Sequence, residues 1–365
     1  MNSLASLLPL AQSYADARSA FRSAARDAGM TLDCETLSEP GPDGDDLSTD
    51  WFWRGPQSAE RVLVLISGTH GVEGYAGSAL QTDWLQSGAA GDLPPGLGVL
   101  VIHALNAHGF AWTRRVTEEG VDLNRNFIDF DGPMPANVDY DDLHNALVPA
   151  DWFDPGRHAA DARLYAFANQ NGKRRLEDSV TAGQYSQPDG LFYGGKAPTR
   201  ARRLVERLIA DYALGERASV AVLDIHTGLG PYGYGEIICD HAPGSLPARR
   251  GRDWFGPSMT EPALGTSTSG IKAGLMDYGW HRALGDQGLF VTLEFGTTPS
   301  DVVIDALRGD NWLHRRGSVD WTQDDTLRVK QAMLEAFRPY RADWRDLILF
   351  RGRQVIDQAI TGLLS

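Results

Sequence analysis

Four continuous apolar runs along the chain predict buried strands. They read RVLVLISG (61–68), GLGVLVIHALN (96–106), SVAVLDIHTG (219–228) and GLFVTLEFGTT (288–298). Runs of this kind suit strands that are covered on both faces, as in parallel sheets. A helical pattern at 73–88 lies between the first two runs, so the spacing predicts a strand–helix–strand crossover.

Alternating and helical patterns predict further elements around these strands. Period-two alternation at 31–37 and 50–55, on either side of a turn-rich stretch, predicts an edge hairpin. Apolar residues spaced three and four apart predict helices over 3–29, 199–214 and 322–339.

The stretch 128–200 has no clean period and is rich in Pro, Asp, Asn, Gly and aromatic residues. A long loop excursion of this kind is typical of an active-site wall or lid. We expect Tyr193 or Lys196 to face a substrate there. No repeat or linker divides the chain, so the sequence predicts one domain over 1–365, of the α/β class, with a central mixed, mostly parallel twisted sheet and helices on both faces.

Composition narrows the classes of partner. The chain has 34 Lys and Arg against 48 Asp and Glu, a net charge of −14, so a nucleic-acid partner is not expected. No apolar run approaches the roughly 20 residues that a membrane helix needs. The N-terminal stretch has no basic residue before its short apolar patch, which argues against a secretory signal and favours a cytoplasmic protein. Oligomeric state is left open.

Polar residues follow three of the apolar runs. His70 and Glu73 come after the first run, His226 ends the third and Glu294 ends the fourth. Because ligands of open α/β sheets gather at the carboxyl ends of strands, these side chains are expected to converge. Two histidines and one carboxylate form a catalytic zinc set with an open position, and Glu294 would serve as a proton acceptor. The alternative is a turn, a core histidine and an ion-paired glutamate.

A second polar cluster lies in the segment DLNRNF at 122–127. It places the amide of Asn124 next to the guanidinium of Arg125, with Arg114 and Arg115 shortly upstream. A guanidinium can hold a carboxylate through two parallel hydrogen bonds, which suits a substrate with a free carboxylate. The alternative is that these arginines pair with acidic residues of their own chain.

These motifs, in order over residues 60–300, resemble the zinc carboxypeptidase (M14) superfamily. The resemblance rests on THGVE, on NAHGF followed by RR and GVDLNRNF, on DIHTG and on TLEFG. Within the superfamily, SGTHGVEGYAGSALQ is most similar to the uncharacterised bacterial DUF2817 group. GTHG and DIHT are also similar to the aspartoacylase and succinylglutamate desuccinylase branch.

The resemblance implies a role for each residue that matches a metal-site motif. His70, Glu73 and His226 would bind one Zn²⁺ per chain. Asp122 would accept a hydrogen bond from the outer nitrogen of His70, as carboxylates near metal-bound histidines usually do. Asp224 lies two residues before His226 and so on the same face of a strand, where it could act in the same way.

The resemblance also implies how a substrate would be held and cleaved. Glu294 would be the general base and acid, while Asn124 and Arg125 would hold the α-carboxylate of the substrate. Arg115, or in second place Arg114, would polarise the scissile carbonyl.

The segment 265–280 departs from the carboxypeptidase pattern. When Asp277 is aligned with the family's aspartate, a serine stands near the position of the mobile tyrosine, and Tyr278 is displaced from it. The position that sets the side-chain pocket would be Met276 or Leu275. Neither is charged, which favours an apolar or neutral substrate side chain.

Three functions follow from these motifs. The first is zinc-dependent hydrolysis of an amide bond next to a free carboxylate, as by a metallocarboxypeptidase acting on short peptides. The second is deacylation of N-acyl amino acids. The third is a non-catalytic module that binds a carboxylate or a peptide. Because binding alone does not need Glu294, its presence favours an enzyme.

Overall fold

A computed structural model describes residues 10–153, 155–317 and 319–365. The predicted first helix is observed from Tyr14, and residues 3–9 of the prediction lie outside the described residues. In chain order the elements are α1 (Tyr14–Asp27), β1 (Asp33–Thr36), β2 (Ser48–Arg54), β3 (Arg61–Ser67), α2 (Gly74–Gln86), β4 (Leu97–His103), α3 (Ala107–Ala111), α4 (Val138–Leu147), α5 (Pro155–Asn171), α6 (Lys173–Thr181), α7 (Arg200–Asp211), β5 (Ser219–Tyr232), β6 (Glu236–Ile238), α8 (Leu246–Phe255), β7 (Met259–Thr260), α9 (Met276–Leu284), β8 (Gly288–Gly296), α10 (Ser300–Arg315), α11 (Asp324–Phe337) and α12 (Ala342–Leu364).

The described strands form one eight-stranded sheet in the order β1-β2-β4-β3-β5-β8-β6-β7. The four strands predicted from the apolar runs, β3, β4, β5 and β8, are its parallel centre. β1 and β2 form the predicted antiparallel hairpin at one edge. At the other edge β6 pairs antiparallel with β8 and parallel with β7. The predicted α/β class with a mixed, mostly parallel sheet is confirmed.

Two hydrophobic layers cover the sheet because successive side chains of a strand point to opposite faces. Leu63 and Leu65 of β3 pack in one layer, together with residues of α2 and α12. Val62 and Val64 pack in the other, together with residues of α7 and α9. All four side chains are fully buried, which explains why the run is apolar without alternation. Among the described residues, no helix is long and apolar enough to cross a lipid bilayer.

The stretch 128–200 contains three helices, α4, α5 and α6, so the predicted long loop is wrong for much of its length. The longest of them, α5, escapes a search for periodicity because little of its surface is buried. In α5 only Ala160 is buried, and a helix that packs so lightly needs no apolar stripe. The short helix α4 begins at Asn137, whose side chain accepts a hydrogen bond from the backbone N–H of Tyr140.

β5 contains an irregularity that matters for the site. Its ladder with β8 is regular as far as Thr227 opposite Phe295, and then shifts so that Tyr232 lies opposite Gly296. Gly228 and Gly230 within the shifted segment have φ angles of +130° and +91°, which favour glycine. The strand therefore bulges just after the position of His226.

Candidate active site

The carboxyl ends of β3 and β5 position the three predicted metal ligands. β3 is followed by a tight turn that brings His70 and Glu73 onto one side. Gly71 in this turn is indispensable, because a Cβ there would lie 1.9 Å from the backbone of Gly109. The two strands are adjacent and parallel, so His226 on β5 comes to lie beside the turn.

The structure brings His70, Glu73 and His226 into a compact buried cluster. His70 Nδ1 lies 2.9 Å from Glu73 Oε1, and His226 Nδ1 lies 3.0 Å from Glu73 Oε2. The two Nδ1 atoms are 3.1 Å apart. Each residue offers a ligand atom, and these atoms lie within 4.8 Å of one another. The cluster has the composition and the size of a three-ligand metal site.

Two further carboxylates fix the orientation of the histidines. His70 Nε2 lies 3.1 Å from Asp122 Oδ1, and His226 Nε2 lies 2.6 Å from Asp224 Oδ2. When each Nε2 carries the proton of these hydrogen bonds, each Nδ1 presents a lone pair to the centre of the cluster. Two lone pairs and a carboxylate directed at one point suit a divalent cation, so the residues fit the predicted metal. The opposite oxygen of Asp224 accepts a hydrogen bond from Thr69, which holds it in place.

Arg115 connects the cluster to its outer carboxylates. Its Nε donates to Asp122 Oδ2 at 2.8 Å and its Nη1 donates to Glu73 Oε1 at 3.1 Å. Burial alone would lower the pKa of Arg115, but Asp122 and Glu73 outweigh it and raise that pKa. The guanidinium lies 5.0 Å from the centre of the Phe192 ring, a cation–π contact. Arg115 is therefore a fixed positive charge next to the cluster.

Glu294 reaches the same place from the neighbouring strand β8, where it is the register partner of His226. One of its oxygens accepts a hydrogen bond from the backbone N–H of Leu229, in the bulge of β5, at 3.0 Å. Burial, and next the carboxylate of Glu73, raise the pKa of Glu294 to about 7. Glu73 behaves in the opposite way: burial opposes its ionisation, but the two histidines hold its pKa well below the usual range.

Asn124 and Arg125 lie on the other side of the cleft. Arg125 is 1% exposed, and its Nε and Nη2 donate to the carbonyl of Thr181 at the end of α6. No acidic side chain of the described residues lies within 4 Å of this guanidinium. The amide oxygen of Asn124 accepts a hydrogen bond from the backbone N–H of Met276 at 2.7 Å. That contact ties the 122–127 segment to the start of α9.

One cleft collects most of the predicted residues. Those that line it are His70, Glu73, Arg115, Asn124, Arg125, His226 and Glu294. Asp122 and Asp224 lie behind the histidines, fully buried. Leu275 and Asp277 also line the cleft, whereas Met276 packs into the core below it.

Three expectations need correction. Arg114 lies outside this cleft, because its Nε donates to Asp310 at 2.9 Å on the far side of the 112–115 segment. Tyr193 is buried and Lys196 is exposed away from the cleft. The residue of that stretch that lines the cleft is Phe192. Arg115 and Phe192 line the cleft while their neighbours Arg114 and Tyr193 do not, and the sequence alone does not show which of two adjacent side chains points inwards.

Comparison with known proteins decides the family. The model of the family described as "Protein of unknown function (DUF2817)" matches residues 10–351. The chain belongs to the DUF2817 family. No curated protein matches this DUF2817 chain.

Solved structures show the fold. Carboxypeptidase A from Helicoverpa armigera is 14% identical to the DUF2817 chain, with a TM-score of 0.50, and the match covers 96% of the chain and 74% of that protein. The succinylglutamate desuccinylase from Chromobacterium violaceum is 16% identical, with a TM-score of 0.38, over 90% of the chain and 74% of that protein. At such identity, the first of these likenesses shows the fold alone, and the chain shares it with that carboxypeptidase.

Sequence reasoning missed several polar residues that line the cleft, among them Thr227, Asp240 and Lys272. Thr227 could have been found, because it adjoins His226 and its backbone N–H donates to Glu73 at 3.0 Å. Asp240 and Lys272 carried no comparable signal, because each stands alone in an irregular polar segment.

Proposed function

We propose that this DUF2817 protein is a zinc-dependent hydrolase of an amide bond next to a free carboxylate, acting as a metallocarboxypeptidase on short peptides. One observation carries the proposal. A two-histidine, one-carboxylate cluster shares a single cleft with a buried glutamate, Glu294, and with a buried arginine, Arg125, that has no acidic partner among the described residues. Those are the parts that hydrolysis next to a carboxylate needs.

His70, Glu73 and His226 would hold the metal. Imidazole nitrogens and a carboxylate oxygen are ligands that zinc accepts, and three protein ligands leave a position open. Bound zinc supplies Lewis acidity, which polarises a carbonyl and lowers the pKa of water. Asp122 and Asp224 keep the histidines in the tautomer that binds metal.

The chain's own groups would carry the proton transfers. Glu294 takes a proton from the attacking water and delivers it to the leaving nitrogen. A pKa of about 7 suits both tasks, because the group must accept and release a proton near neutral pH. Its backbone hydrogen bond from Leu229 leaves the other oxygen available to the water.

Charge stabilisation and orientation fall to the two arginines. Arg115 is held by Asp122 and Glu73 and carries a permanent positive charge close to the cluster, where it would stabilise the negative oxygen of the transition state. Arg125 and Asn124 would hold the terminal carboxylate, so that the last peptide bond lies over the cluster.

The test combines metal analysis with a substrate screen. We expect about one zinc per chain in the purified protein, and mass spectrometry should detect cleavage in a panel of short peptides and acyl amino acids. Glu294→Gln should retain zinc but lose at least about 10³-fold in kcat, since it removes the proton acceptor. Asp357→Asn, at an exposed position on α12, is the matched control and should leave both properties unchanged.

The other outcomes of the screen are informative. Substrates that tolerate a long N-terminal extension indicate a carboxypeptidase, whereas cleavage restricted to acyl amino acids indicates a deacylase. Zinc without any turnover would favour a binding module. A protein that lacks zinc would contradict the whole proposal.

Removal of the metal should also weaken the fold locally. The three ligands stand within hydrogen-bonding distance of one another and share one carboxylate, so a cation is expected to stabilise the turn after β3. We expect a chelator to lower the Tm and added zinc to restore it. His226→Ala should show neither response, which provides the control.

A further inference from the structure

Lys272 lines the same cleft as the candidate metal ligands, and nothing so far assigns it a role. Its ammonium group donates to Ser269 Oγ at 2.6 Å and to the carbonyl of Gly270 at 3.0 Å. An ammonium has three hydrogens to donate, and both of these acceptors are uncharged. Within the described residues, no carboxylate lies within 4 Å of it. The cation thus has capacity for one more acceptor.

The backbone around Lys272 is fixed against the segment that carries Arg125. The carbonyl of Lys272 accepts a hydrogen bond from Tyr278 Oη at 3.2 Å. The next two residues bond across the cleft wall: Ala273 N donates to Ala182 O at 2.9 Å, and the Gly274 carbonyl accepts from Phe127 N at 3.0 Å. Lys272 is therefore positioned by the fold and is not an unconstrained surface lysine.

Gly274 shows how closely the two segments approach. Its φ is +68°, and a Cβ at this position would lie 2.1 Å from the carbonyl oxygen of Arg125. Only glycine allows the loop to pass this close to the 122–127 segment. The close approach brings the two cationic residues to the same wall of the cleft.

The charges of Lys272 and Arg125 are under-compensated. Burial, and next the charge of Arg125, lower the pKa of Lys272 to about 7, although Asp240 and Glu294 act in the opposite direction. Burial likewise lowers the pKa of Arg125. An anion placed between the two cations would offset their repulsion and their lost hydration.

The acidic residues of the cleft compensate these two cations only in part, because Asp240, which acts on both of them, makes no ion pair with either within 4 Å among the described side chains. Burial, and next the charge of Asp240, raise the pKa of Asp277 well above its usual range, so its carboxyl group is neutral. Asp240 forms no ion pair within 4 Å among the described side chains, and burial raises its pKa to about 6. It acts on Lys272 at a distance and favours the charged ammonium.

We propose that Lys272 binds the free carboxylate of the substrate together with Arg125. The two cations converge on one carboxylate, to which Arg125 donates from its guanidinium and Lys272 donates its remaining hydrogen. This inference rests on the proposed function for the identity of the ligand, but not on zinc or on turnover.

Binding experiments test this independently of catalysis. In a Glu294→Gln background, which prevents turnover, calorimetry would measure binding of benzoyl-Gly-Phe and of its C-terminal amide. We expect Lys272→Met to weaken binding of the free acid by about 30-fold and binding of the amide by less than about threefold, as for loss of one charge-assisted hydrogen bond. Lys272→Arg should retain most of the affinity, and Lys173→Met, at an exposed position on α6, is the matched control.

A third probe distinguishes binding of the terminal carboxylate by Lys272 from binding of a carboxylate on the substrate's side chain. N-acetylglutamic acid α-amide carries a carboxylate only on its side chain. If Lys272→Met weakened this probe and left benzoyl-Gly-Phe unchanged, Lys272 would recognise the side chain and the proposal would be overturned. Equal losses for the free acid and the amide, or no loss for either, would overturn it as well. Failure to find any peptide substrate would count against the proposed function alone.

Discussion

The protein contains two groups of buried or half-buried cations that differ in how they are neutralised. Arg114 and Lys330 both contact the buried carboxylate of Asp310, at 2.9 and 2.7 Å. Arg125 and Lys272 lie in the cleft, and their hydrogen bonds within the described residues go to uncharged oxygen atoms. A cation that has its own acid stabilises the fold, whereas a cation without one is available to a ligand. The contrast separates Arg125 from Arg114, although the sequence makes both of them candidates for substrate binding.

The ion pairs of Asp310 with Arg114 and Lys330 hold neighbouring segments of the chain together. Lys330 on α11 also donates to the carbonyl of Trp112 at 2.6 Å, so α10 and α11 together hold the 112–115 segment. The carbonyl of Arg114 in that segment accepts a hydrogen bond at 2.8 Å from the backbone N–H of Val72, which lies in the turn after β3. The paired cations thus support the turn that bears His70 and Glu73.

The largest effect should come from removal of the shared acid. Asp310→Asn leaves the buried Lys330 and the half-buried Arg114 without a counter-charge, so we expect a loss of about 3–5 kcal/mol in the free energy of unfolding. Urea denaturation measures it. Asp357→Asn, exposed on α12, is the control and should stay within about 0.5 kcal/mol. An equally small change for Asp310→Asn would mean that this group is not a structural ion pair.

The two lysines offer the most direct comparison. Lys330→Met removes a donor to both Asp310 and Trp112, and we expect it to lower the free energy of unfolding by about 2–3 kcal/mol. Lys272→Met removes an under-compensated cation, and we expect a change within about 0.5 kcal/mol. Urea denaturation of both variants at one pH measures the difference. Equal destabilisation by the two would remove the distinction between structural and ligand-binding cations.

A third expected effect is a change of stability with pH. The folded-state pKa of Glu294 is raised to about 7 from an unfolded value of 4.5, so between these values the metal-free folded state binds more protons than the unfolded state. The stability that this proton provides is complete below about pH 4.5 and is lost as the pH rises towards 7. Metal-free Glu294→Gln should lack this component, which denaturation at several pH values would detect. Parallel profiles for the two proteins would show that Glu294 is not perturbed.

Much of the fold could be predicted because its signals are local. The central strands are apolar on both faces, and a run such as 61–68 reveals this without reference to any distant residue. The convergence of the candidate metal ligands could be predicted for the same reason, since His70 and Glu73 sit where a buried strand ends and His226 closes the apolar run of another. Asp224 followed from the two-residue period of a strand, and the structure places it 2.6 Å from His226.

The remainder depends on tertiary contacts that the sequence does not display. Arg114 and Arg115 are neighbours, and only the positions of Asp310 and Asp122 distinguish them. Phe192 faces the cleft because of the loop geometry around it. Lys272 reaches the cleft because its loop passes close to Arg125, a residue that is distant from it in the sequence.

The bulge in β5 has a consequence for how this protein can be studied. It directs the backbone N–H of Leu229 to Glu294, while the N–H of Thr227 just before it reaches Glu73. Both donors belong to the main chain, so replacing either side chain leaves them in place, and an alanine scan does not report on either of these two hydrogen bonds. Only a change of the main chain itself, such as an amide-to-ester replacement by chemical synthesis, removes such a donor. Part of this site is therefore formed by the backbone itself, and the exchange of one side chain for another does not test it.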